Sequence, residues 1–415
     1  MPREGNCVVA QSGGPTAVIN ASLLGVIEEA MKQHPIRAIY GAKNGIIGLI
    51  DEELYDLRME DPEELKHLKY TPASALGSCR YQLKPFEHDE KDYAKIFNVF
   101  DAHNIKYFFY IGGNDSMDTA DKLTRYAQKI GYDICIMGIP KTVDNDLVLT
   151  DHCPGYGSAA KFIATSVMEI ARDAVVYPTN IVMIIEVMGR NAGWLAAASA
   201  LANKDMGAPD LIYLPETPFS IDKFVEDVRN IHKKTGKITI VVSEGIKDKD
   251  GKYIADMSHK FGIDSFGHVQ LGGAAFVLES IVRDEIEKRV KSIQFNVLQR
   301  SAAHILSKTD VEESYMVGRM AVKYAVEGAC GYMVSIKRDS NTPYSSSTEL
   351  IELSKIANAE KLVPLAWISH DGNYVKDNIL DYIAPLTEGE VDIKFERGIP
   401  RYAKLRKIMV PKKVM

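Results

Sequence analysis

Short, continuous apolar runs that end in glycine or polar residues constrain the fold of this chain more than any other feature. Six such runs occupy residues 7–10, 36–40, 107–111, 134–139, 181–187 and 238–242. Because they are continuous rather than alternating, they are typical of parallel strands buried on both faces of a sheet. Helical patterns lie between and after them, at residues 18–27, 95–102, 158–173, 192–202 and 311–326. This alternation predicts a doubly wound α/β fold with mostly parallel sheets.

The length and charge of the chain limit its possible partners. Its 415 residues are enough for two or three domains, and no low-complexity linker or internal repeat divides them. A net charge of −6 argues against nucleic acid, whose phosphate backbone selects basic surfaces. Residues 401–413 hold six basic side chains and no acidic one, and a solvated tail or a subunit contact is expected there.

The sequence also favours a cytoplasmic protein. The apolar runs are far shorter than the ~18 residues of a membrane span. Residues 1–5 lack the apolar core of a signal peptide. The five cysteines are scattered and form no CxxC pair, so we expect reduced thiols that act as small core residues.

Glycines and polar or charged residues follow the carboxyl ends of the predicted strands, where open α/β sheets bind ligands. Gly13 and Gly14 follow the first strand, and their N–H groups could approach an anion at the start of a helix. For these two glycines alone, a tight strand-to-helix turn is a better explanation than an anion site. Asn114 and Asp115 offer oxygens suited to Mg²⁺, although a helix cap at Asp115 or Ser116 explains them equally well.

Residues 140–146 carry the most specific pattern. A lysine, a hydroxyl and two carboxylates lie close together there, as Lys141, Thr142, Asp144 and Asp146. Phosphoryl transfer needs a cation on the moving group and a carboxylate that accepts the hydroxyl proton. Lys141 and Asp144 supply that pair, and Asp146 could orient Lys141 or a hydrated metal. An Asx-stabilised turn, the alternative, needs no lysine.

Three later residues suit a phosphorylated sugar. Arg190 and Arg300 could bind phosphate, and Glu244 could bind sugar hydroxyls. Singly, each is more often an ordinary surface ion-pair residue.

Taken together, these segments resemble the phosphofructokinase family. They are Gly-Gly at 13–14, GGNDS at 112–116, PKTVDND at 140–146, MGRNAGW at 188–194, SEG at 243–245 and LQRSAAH at 298–304. The resemblance covers about residues 7–340 and is strongest to the bacterial pyrophosphate-dependent branch. It implies two Rossmann-like domains. A phosphoryl-donor domain would hold residues 1–155 plus about 300–350, and an acceptor domain about 156–299 plus 351–415.

The resemblance also implies roles for individual residues. Asp144 is the expected proton acceptor, with Lys141 and Asp115 as further catalytic residues. Asn114 and Asp115 are the candidate Mg²⁺ ligands. The residues expected to bind substrate are Gly13, Gly14, Arg80, Thr142, Val143, Asp146, Met188, Gly189, Arg190, Glu244, Lys291 and Arg300.

Two residues imply that the donor is pyrophosphate rather than ATP. ATP-dependent members of the family carry glycine at the positions of Asp115 and Lys141. A carboxylate at position 115 would occupy the place of the α-phosphate of ATP and repel it. Lys141 could supply charge near the leaving group or the transition state.

Other positions depart from the family pattern. ATP-dependent members bind the 6-phosphate of the acceptor with arginines at the positions of Ile181 and Lys291, and with His or Tyr at that of Val297. Lys291 can still bind phosphate, though without a planar fork. Asn114 also replaces an aspartate that commonly helps to bind the metal. Fructose 6-phosphate is the expected acceptor, and sedoheptulose 7-phosphate is a second candidate.

The expected activity is a reversible glycolytic step. A phosphoryl group passes from pyrophosphate to the 1-hydroxyl of fructose 6-phosphate and gives fructose 1,6-bisphosphate and phosphate, with Mg²⁺, in a homodimer or homotetramer. An ATP-dependent kinase is one alternative, and an inactive subunit that binds sugar phosphate is another. The intact set of Lys141, Asp144, Asp146, Arg190 and Glu244 argues against the inactive subunit.

Overall fold

The computed structural model of the chain describes residues 2–203, 207–258, 273–357 and 359–414. These residues form two main β-sheets with helices on both sides. The larger sheet has the strand order β11-β10-β5-β4-β1-β2-β3, and the smaller has the order β7-β8-β6-β9. The strands are β1 (Gly5–Gln11), β2 (Ile36–Ala42), β3 (Leu54–Asp56), β4 (Ile105–Gly112), β5 (Cys135–Pro140), β6 (Ile181–Val187), β7 (Leu211–Tyr213), β8 (Lys237–Ser243), β9 (Val290–Gln294), β10 (Tyr332–Asn341) and β11 (Tyr344–Glu352), followed by the short pair β12 (Phe395–Glu396) and β13 (Ile399–Pro400).

Helices connect most of these strands. The α-helices are α1 (Ile19–Ala30), α2 (Ile46–Ile50), α3 (Pro62–His67), α4 (Lys91–Ala102), α5 (Asn114–Ile130), α6 (Tyr156–Val175), α7 (Trp194–Ala198), α8 (Ile221–Thr235), α9 (Ala274–Glu285), α10 (Leu298–Ser301), α11 (Lys308–Glu327) and α12 (Asn378–Ile383). Single 3-10 turns lie at Leu57–Met59, Leu68–Tyr70, Ser199–Ala202, Ile254–Ser258, Ala303–Ile305, Leu353–Lys355, Leu365–Trp367 and Ala384–Thr387. Among the residues described, every helix is too short or too polar to cross a lipid bilayer.

Both faces of the larger sheet are buried, which explains its continuous apolar strands. In β4, Phe108 and Tyr110 pack into a core under α4 and α5, whereas Tyr107 and Phe109 pack into a second core under α1 and α11. Successive side chains of a strand point to opposite faces, so a strand between two helical layers needs apolar residues at every position. The predicted α/β fold with mostly parallel sheets is confirmed, and the six predicted strands correspond to β1, β2, β4, β5, β6 and β8.

Antiparallel strands lie at both edges of the larger sheet. β3 pairs antiparallel with β2, and β11 forms a long antiparallel hairpin with β10. The sequence did not predict these edges, because β3 has only three residues and β11 is largely polar and partly exposed, as in its Ser345–Ser347 stretch. Parallel pairing of β10 with β5 joins the hairpin to the sheet.

The basic tail packs on its own chain. Arg401 forms an ion pair with Glu64, and the backbone N–H groups of Arg406 and Lys407 donate to Glu60. The N–H of Val410 donates to the carbonyl oxygen of Leu54 in β3 over 2.8 Å. The backbone of the tail is therefore anchored to the chain, whereas five of its six basic side chains are exposed to solvent, as expected of a solvated tail. The acidic partners lie more than 300 residues earlier in the chain, where a local charge pattern cannot reveal them.

The order of the strands positions the site. β1, β4 and β5 are parallel neighbours, so the loops that follow Gln11, Gly112 and Pro140 meet at one edge of the larger sheet. β8, β6 and β9 are likewise parallel neighbours in the smaller sheet, and the segments after Val187 and Ser243 meet there.

Candidate active site

Gly13 and Gly14 form the turn between β1 and α1, and two cationic side chains approach it closely. A Cβ atom added to Gly13 would lie 3.2 Å from Lys141 Nζ, and one added to Gly14 would lie 2.8 Å from Arg300 Nη1. Gly13 has a φ of +75°, a backbone conformation that side chains rarely adopt. The second contact is shorter than ordinary packing tolerates, so Gly14 allows the Arg300 guanidinium to reach the turn.

Lys141 is buried at the end of β5. Its ammonium group donates a hydrogen bond to the carbonyl oxygen of Gly14 over 2.8 Å, and the residue is 3% exposed. Burial lowers the pKa of Lys141 to about 8, although Asp144 and Asp146 act in the opposite direction. A buried ammonium whose pKa is lowered gains stability from any anion that enters beside it.

Asp144 and Asp146 flank a strained turn. The Thr142 hydroxyl accepts the N–H of Asp144 over 3.1 Å, and Asn145 between the two carboxylates has a φ of +54°. Burial raises the pKa of Asp144, and Lys141 opposes that shift. Burial and the neighbouring Asp144 raise the pKa of Asp146 to about 7. Both groups are therefore stronger bases than ordinary carboxylates, as a proton acceptor requires.

Asn114 and Asp115 begin α5 beside this turn. The position of a Cβ on Gly113 would lie 3.5 Å from the carbonyl oxygen of Lys141, so the two loops are in contact. Asp115 is exposed, and Asn114 Oδ1 is buried without a hydrogen-bond partner among the described residues. Asp146 Oδ1 is likewise buried without a hydrogen-bond partner among the described residues.

The oxygens of this region suit a hard cation that the protein holds only in part. Over the described ranges, no group of three or more His, Cys, Asp or Glu residues could bind a metal ion alone. The buried oxygens of Asn114 and Asp146 nevertheless lack partners. Mg²⁺ keeps several waters and shares phosphate oxygens with few protein ligands, so these residues fit Mg²⁺ that arrives with a phosphate.

The smaller sheet contributes the opposite wall. Gly189 has a φ of +129°, and its N–H donates to Glu244 Oε1 over 3.4 Å. A Cβ added to Gly245 would overlap the carbonyl oxygen of Arg190, at 1.9 Å. The N–H of Met188 donates to Gln299 over 3.2 Å. These contacts bring together the segments that follow β6 and β8 and the start of α10.

The two walls share one electrostatic environment. Burial, together with Asp144 and Glu186, raises the pKa of Glu244 to about 8. Burial and the nearby Arg80 lower the pKa of Arg300. Because Arg80, Arg300 and Lys141 repel one another here, the cleft favours an anion with several negative charges.

Comparison with known proteins identifies the family. The profile of the family described as Phosphofructokinase matches residues 6–290. The chain belongs to the phosphofructokinase family. It is 44% identical over 414 residues to a pyrophosphate–fructose 6-phosphate 1-phosphotransferase of Halomonas elongata, covering 99% of this chain and 98% of the relative. A crystal structure of a pyrophosphate-dependent phosphofructokinase from Nitrosospira multiformis superposes with a TM-score of 0.91 at 42% identity, covering 99% of each chain.

Another relative has a different printed activity. A sulfofructose kinase of Alkalicoccus urumqiensis is 32% identical over 368 residues, which is 88% of this chain and 92% of that protein. The resemblance inferred from the motifs is therefore confirmed at the level of the family. The named sugar differs between relatives.

The structure of this family member brings most of the expected site residues together. Lys141, Asp144, Asp146, Arg80 and Arg300 interact across the cleft with Glu244 and the Gly13–Gly14 turn. Val143 instead lies buried in the core of the smaller sheet. Thr142 is also buried, and its backbone N–H donates to Pro154 over 3.2 Å.

Lys291 lies apart from this cleft in its own chain. It is exposed on β9, opposite Met183 of β6, four residues before β6 ends at Val187. At about 3.3 Å per residue, that separation along the strand is about 13 Å. An intramolecular contact of Lys291 with the substrate is therefore not supported by the fold.

The sequence motifs did not identify Lys361, whose side chain lies behind the turn from Asp144 to Asp146. Lys361 Nζ donates to the carbonyl oxygen of Asp151 over 2.6 Å and to that of Thr150 over 3.3 Å, and its backbone N–H donates to Asp146 over 2.7 Å. The Tyr382 hydroxyl also donates to Asp151 and accepts a bond from Asn145. Burial lowers the pKa of Lys361. No sequence signal marks Lys361, which stands in an irregular segment without a motif.

Proposed function

We infer that this phosphofructokinase transfers a phosphoryl group reversibly between pyrophosphate and the 1-hydroxyl of fructose 6-phosphate. The observation that carries the inference is the buried ammonium of Lys141. It contacts the Gly13–Gly14 turn and lies close to Asp144, where a donor phosphate and an attacking hydroxyl must meet. The names of the Halomonas elongata and Nitrosospira multiformis relatives support the same donor.

Pyrophosphate binds at the edge of the larger sheet. The N–H of Gly13 donates to the carbonyl oxygen of Cys79 over 3.1 Å, so the anion is bound by the N–H of Gly14 and the amino end of α5, and Lys141 and Arg80 balance its charge. Asp115 lies in the first turn of α5, where its carboxylate repels the α-phosphate of a nucleotide. The smaller anion fits beside it, and ATP does not.

Asp144 is the proton acceptor. It removes the proton of the 1-hydroxyl as that oxygen attacks the nearer phosphorus of pyrophosphate in line. The bond from that phosphorus to the bridging oxygen breaks, and orthophosphate leaves. The raised pKa of Asp144 matches this task, because a carboxylate of ordinary pKa is a weaker base. Lys141 stabilises the charge that moves to the leaving group.

The acceptor sugar binds between the two sheets. Met188, Gly189 and Arg190 line one side, Glu244 binds sugar hydroxyls, and Arg300 reaches from α10 toward both substrates. Lys291 is too far along β9 to contact the sugar phosphate of its own chain. We place it against the acceptor site of a second copy, which makes the enzyme a homodimer or homotetramer.

Mg²⁺ accompanies pyrophosphate. Asn114 and Asp146, whose buried oxygens lack partners among the described residues, would hold it together with Asp115. When bound, Mg²⁺ neutralises negative charge on the phosphates.

Each of the two sheets forms the core of one proposed domain. The donor domain comprises residues 1–155 with about 300–350, and the acceptor domain comprises about 156–299 with the chain from 351 to about 400. The place of β10 and β11 in the larger sheet supports the return of the chain to the donor domain. Residues 401–414, which the sequence assigned to the acceptor domain, contact β3 and α3, so we assign the end of the chain to the donor domain instead.

The acceptor has a second candidate. Ile181 and Val297 cannot bind a phosphate through their side chains, and the sulfofructose kinase relative carries a name with a different sugar. A longer ketose phosphate such as sedoheptulose 7-phosphate is therefore the alternative.

The test is turnover of the full chain with pyrophosphate, Mg²⁺ and each ketose phosphate, followed by phosphorus NMR. Formation of fructose 1,6-bisphosphate and orthophosphate supports the proposal. A higher kcat/KM with sedoheptulose 7-phosphate would identify that sugar as the acceptor and leave pyrophosphate as the donor. Binding of fructose 6-phosphate without turnover would instead support an inactive sugar-phosphate-binding subunit.

A further inference from the structure

Cys135, the first residue of β5, and Cys330, two residues before β10, lie at the same end of the larger sheet. β5 and β10 are parallel, with Tyr332 opposite Met137 and Met333 opposite Gly138. Cys330 lies two residues before β10, and Gly331 between them has a φ of +82°, so the chain turns just before the strand. The N–H of Gly331 donates to the carbonyl oxygen of Ile136 over 2.9 Å, so the pairing extends to this point. Adjacent strands lie about 4.8 Å apart, within the Cα separation of about 4.4–6.8 Å that a disulfide needs.

The two thiols also share one face of the sheet. Both cysteines pack in the core that contains Tyr107 and Val334. The two thiols are close enough for each to shift the pKa of the other. The Cys135 thiol also donates to the carbonyl oxygen of Ala329, over 3.1 Å. Ala329 directly precedes Cys330, so this bond makes the two thiols neighbours.

A guanidinium stands beside the more exposed thiol. Arg3 Nη1 donates to Cys330 Sγ over 3.3 Å, and Arg3 also forms an ion pair with Asp133. Cys330 is partly exposed, whereas Cys135 is completely buried. The neighbouring Cys135 thiol and the charge of Arg3 lower the pKa of Cys330 to about 7, while burial and Asp133 oppose the shift. Burial and the Cys330 neighbour raise the pKa of Cys135.

We propose that Cys330 and Cys135 form a peroxide-oxidised thiol pair, in which Cys330 is the nucleophile and Cys135 the resolving thiol. The Cys330 thiolate attacks one oxygen of hydrogen peroxide, the O–O bond breaks, and hydroxide leaves to give a sulfenic acid. The Cys135 thiol then attacks the Cys330 sulfur, the S–O bond breaks, and water leaves as the disulfide forms. The two sulfur atoms lose two electrons in total, and these reduce one peroxide.

The other cysteines lack this environment. Burial raises the pKa of Cys7 to about 12 and that of Cys153 to about 12, and Cys79 is buried as well. The pair also lies at the opposite end of β5 from Lys141, so its chemistry does not depend on the proposed phosphoryl transfer.

The first test is oxidation of the full chain by hydrogen peroxide, followed by non-reducing proteolysis and mass spectrometry. Wild type should give a Cys135–Cys330 disulfide that dithiothreitol reverses. Cys135→Ala should accumulate a Cys330 sulfenic acid that dimedone traps, and Cys7→Ala should behave as wild type. A folded wild type that forms no disulfide, or one that joins Cys7, Cys79 or Cys153 instead, overturns the proposal.

The second test isolates Arg3. Arg3→Gln should slow alkylation of Cys330 by iodoacetamide at pH 7 by about 5–10-fold, because the thiolate fraction falls. Arg37→Gln is the matched control, since Arg37 is an exposed arginine that pairs with Glu4. An equal rate in Arg3→Gln and wild type would show that Cys330 is not activated by the guanidinium and would contradict the assigned roles.

Discussion

The ammonium of Lys141 donates a hydrogen bond to the carbonyl oxygen of Gly14 over 2.8 Å. This bond joins the end of β5 to the turn that follows β1 and places a buried positive charge where two phosphate-binding loops meet. Burial lowers the pKa of Lys141 to about 8, although Asp144 and Asp146 raise it. These carboxylates therefore compensate the positive charge of Lys141 only in part before an anion binds. A small polyanion is the ligand that this arrangement suits best.

Replacement of Lys141 tests that charge. Lys141→Gln should lower kcat with pyrophosphate by about 10²–10³-fold, the usual loss for one preorganised charge contact. Lys122→Gln is the matched control, because Lys122 is also buried but pairs with Asp118 within α5. Steady-state kinetics of the folded variants measure the difference. Equal losses in the two variants would indicate general destabilisation rather than a role in transfer.

The proton acceptor is tested at Asp144. Asp144→Asn should reduce kcat by roughly 10²–10⁴-fold and change substrate KM far less, because the lost step is proton transfer. Asp121→Asn, which alters a surface pair with Arg125, should keep wild-type kinetics. A near wild-type kcat in Asp144→Asn would assign the proton acceptor to another residue.

Lys361 is expected to position the catalytic turn. Lys361→Met removes the bonds to Thr150 and Asp151 and should lower kcat by about 10–10²-fold through misplacement of Asp144. Lys361→Arg should restore part of the rate, and Tyr382→Phe should have a smaller effect. A lower melting temperature with unchanged kcat would limit Lys361 to a structural role.

The sequence predicted the site well where short motifs follow buried strands. Gly14, Lys141 and Asp144 stand directly after strands whose order in the sheet makes their loops neighbours. Lys361 could not be predicted, because its contact with Asn145 spans 216 residues and depends on the packing of an irregular segment. Lys291 matched a family position, but its place along β9 follows from strand register, which the motif does not contain. The β10–β11 hairpin was missed because only the first half of β10 is apolar, and the rest of the hairpin is largely polar and partly exposed.

His152 predicts a pH dependence of stability. It is buried between Asp151, at 2.8 Å, and Glu313, at 2.6 Å. Burial alone would lower its pKa, but Glu313 and Asp151 raise the pKa of His152 to about 9. A raised folded-state pKa gives stability that is complete below the unfolded pKa of about 6.5 and is lost as pH rises through about 9. The contribution is about 3 kcal/mol at most.

Urea unfolding between pH 6.5 and 9.5 measures this contribution. The free energy of unfolding of wild type should fall across the range more steeply than that of His152→Gln, which cannot titrate there. Parallel curves for the two proteins would mean that His152 is neutral in the folded state.

Pyrophosphate, and not ATP, is the donor. The most direct measurement is kcat/KM for each donor with fructose 6-phosphate at fixed Mg²⁺, for wild type and Asp115→Gly. Wild type should turn over pyrophosphate and show little activity with ATP. Asp115→Gly should gain measurable ATP binding, because the carboxylate that repels the α-phosphate is gone. A wild type that prefers ATP, or an Asp115→Gly variant with no detectable ATP binding and unchanged pyrophosphate kinetics, would contradict the account.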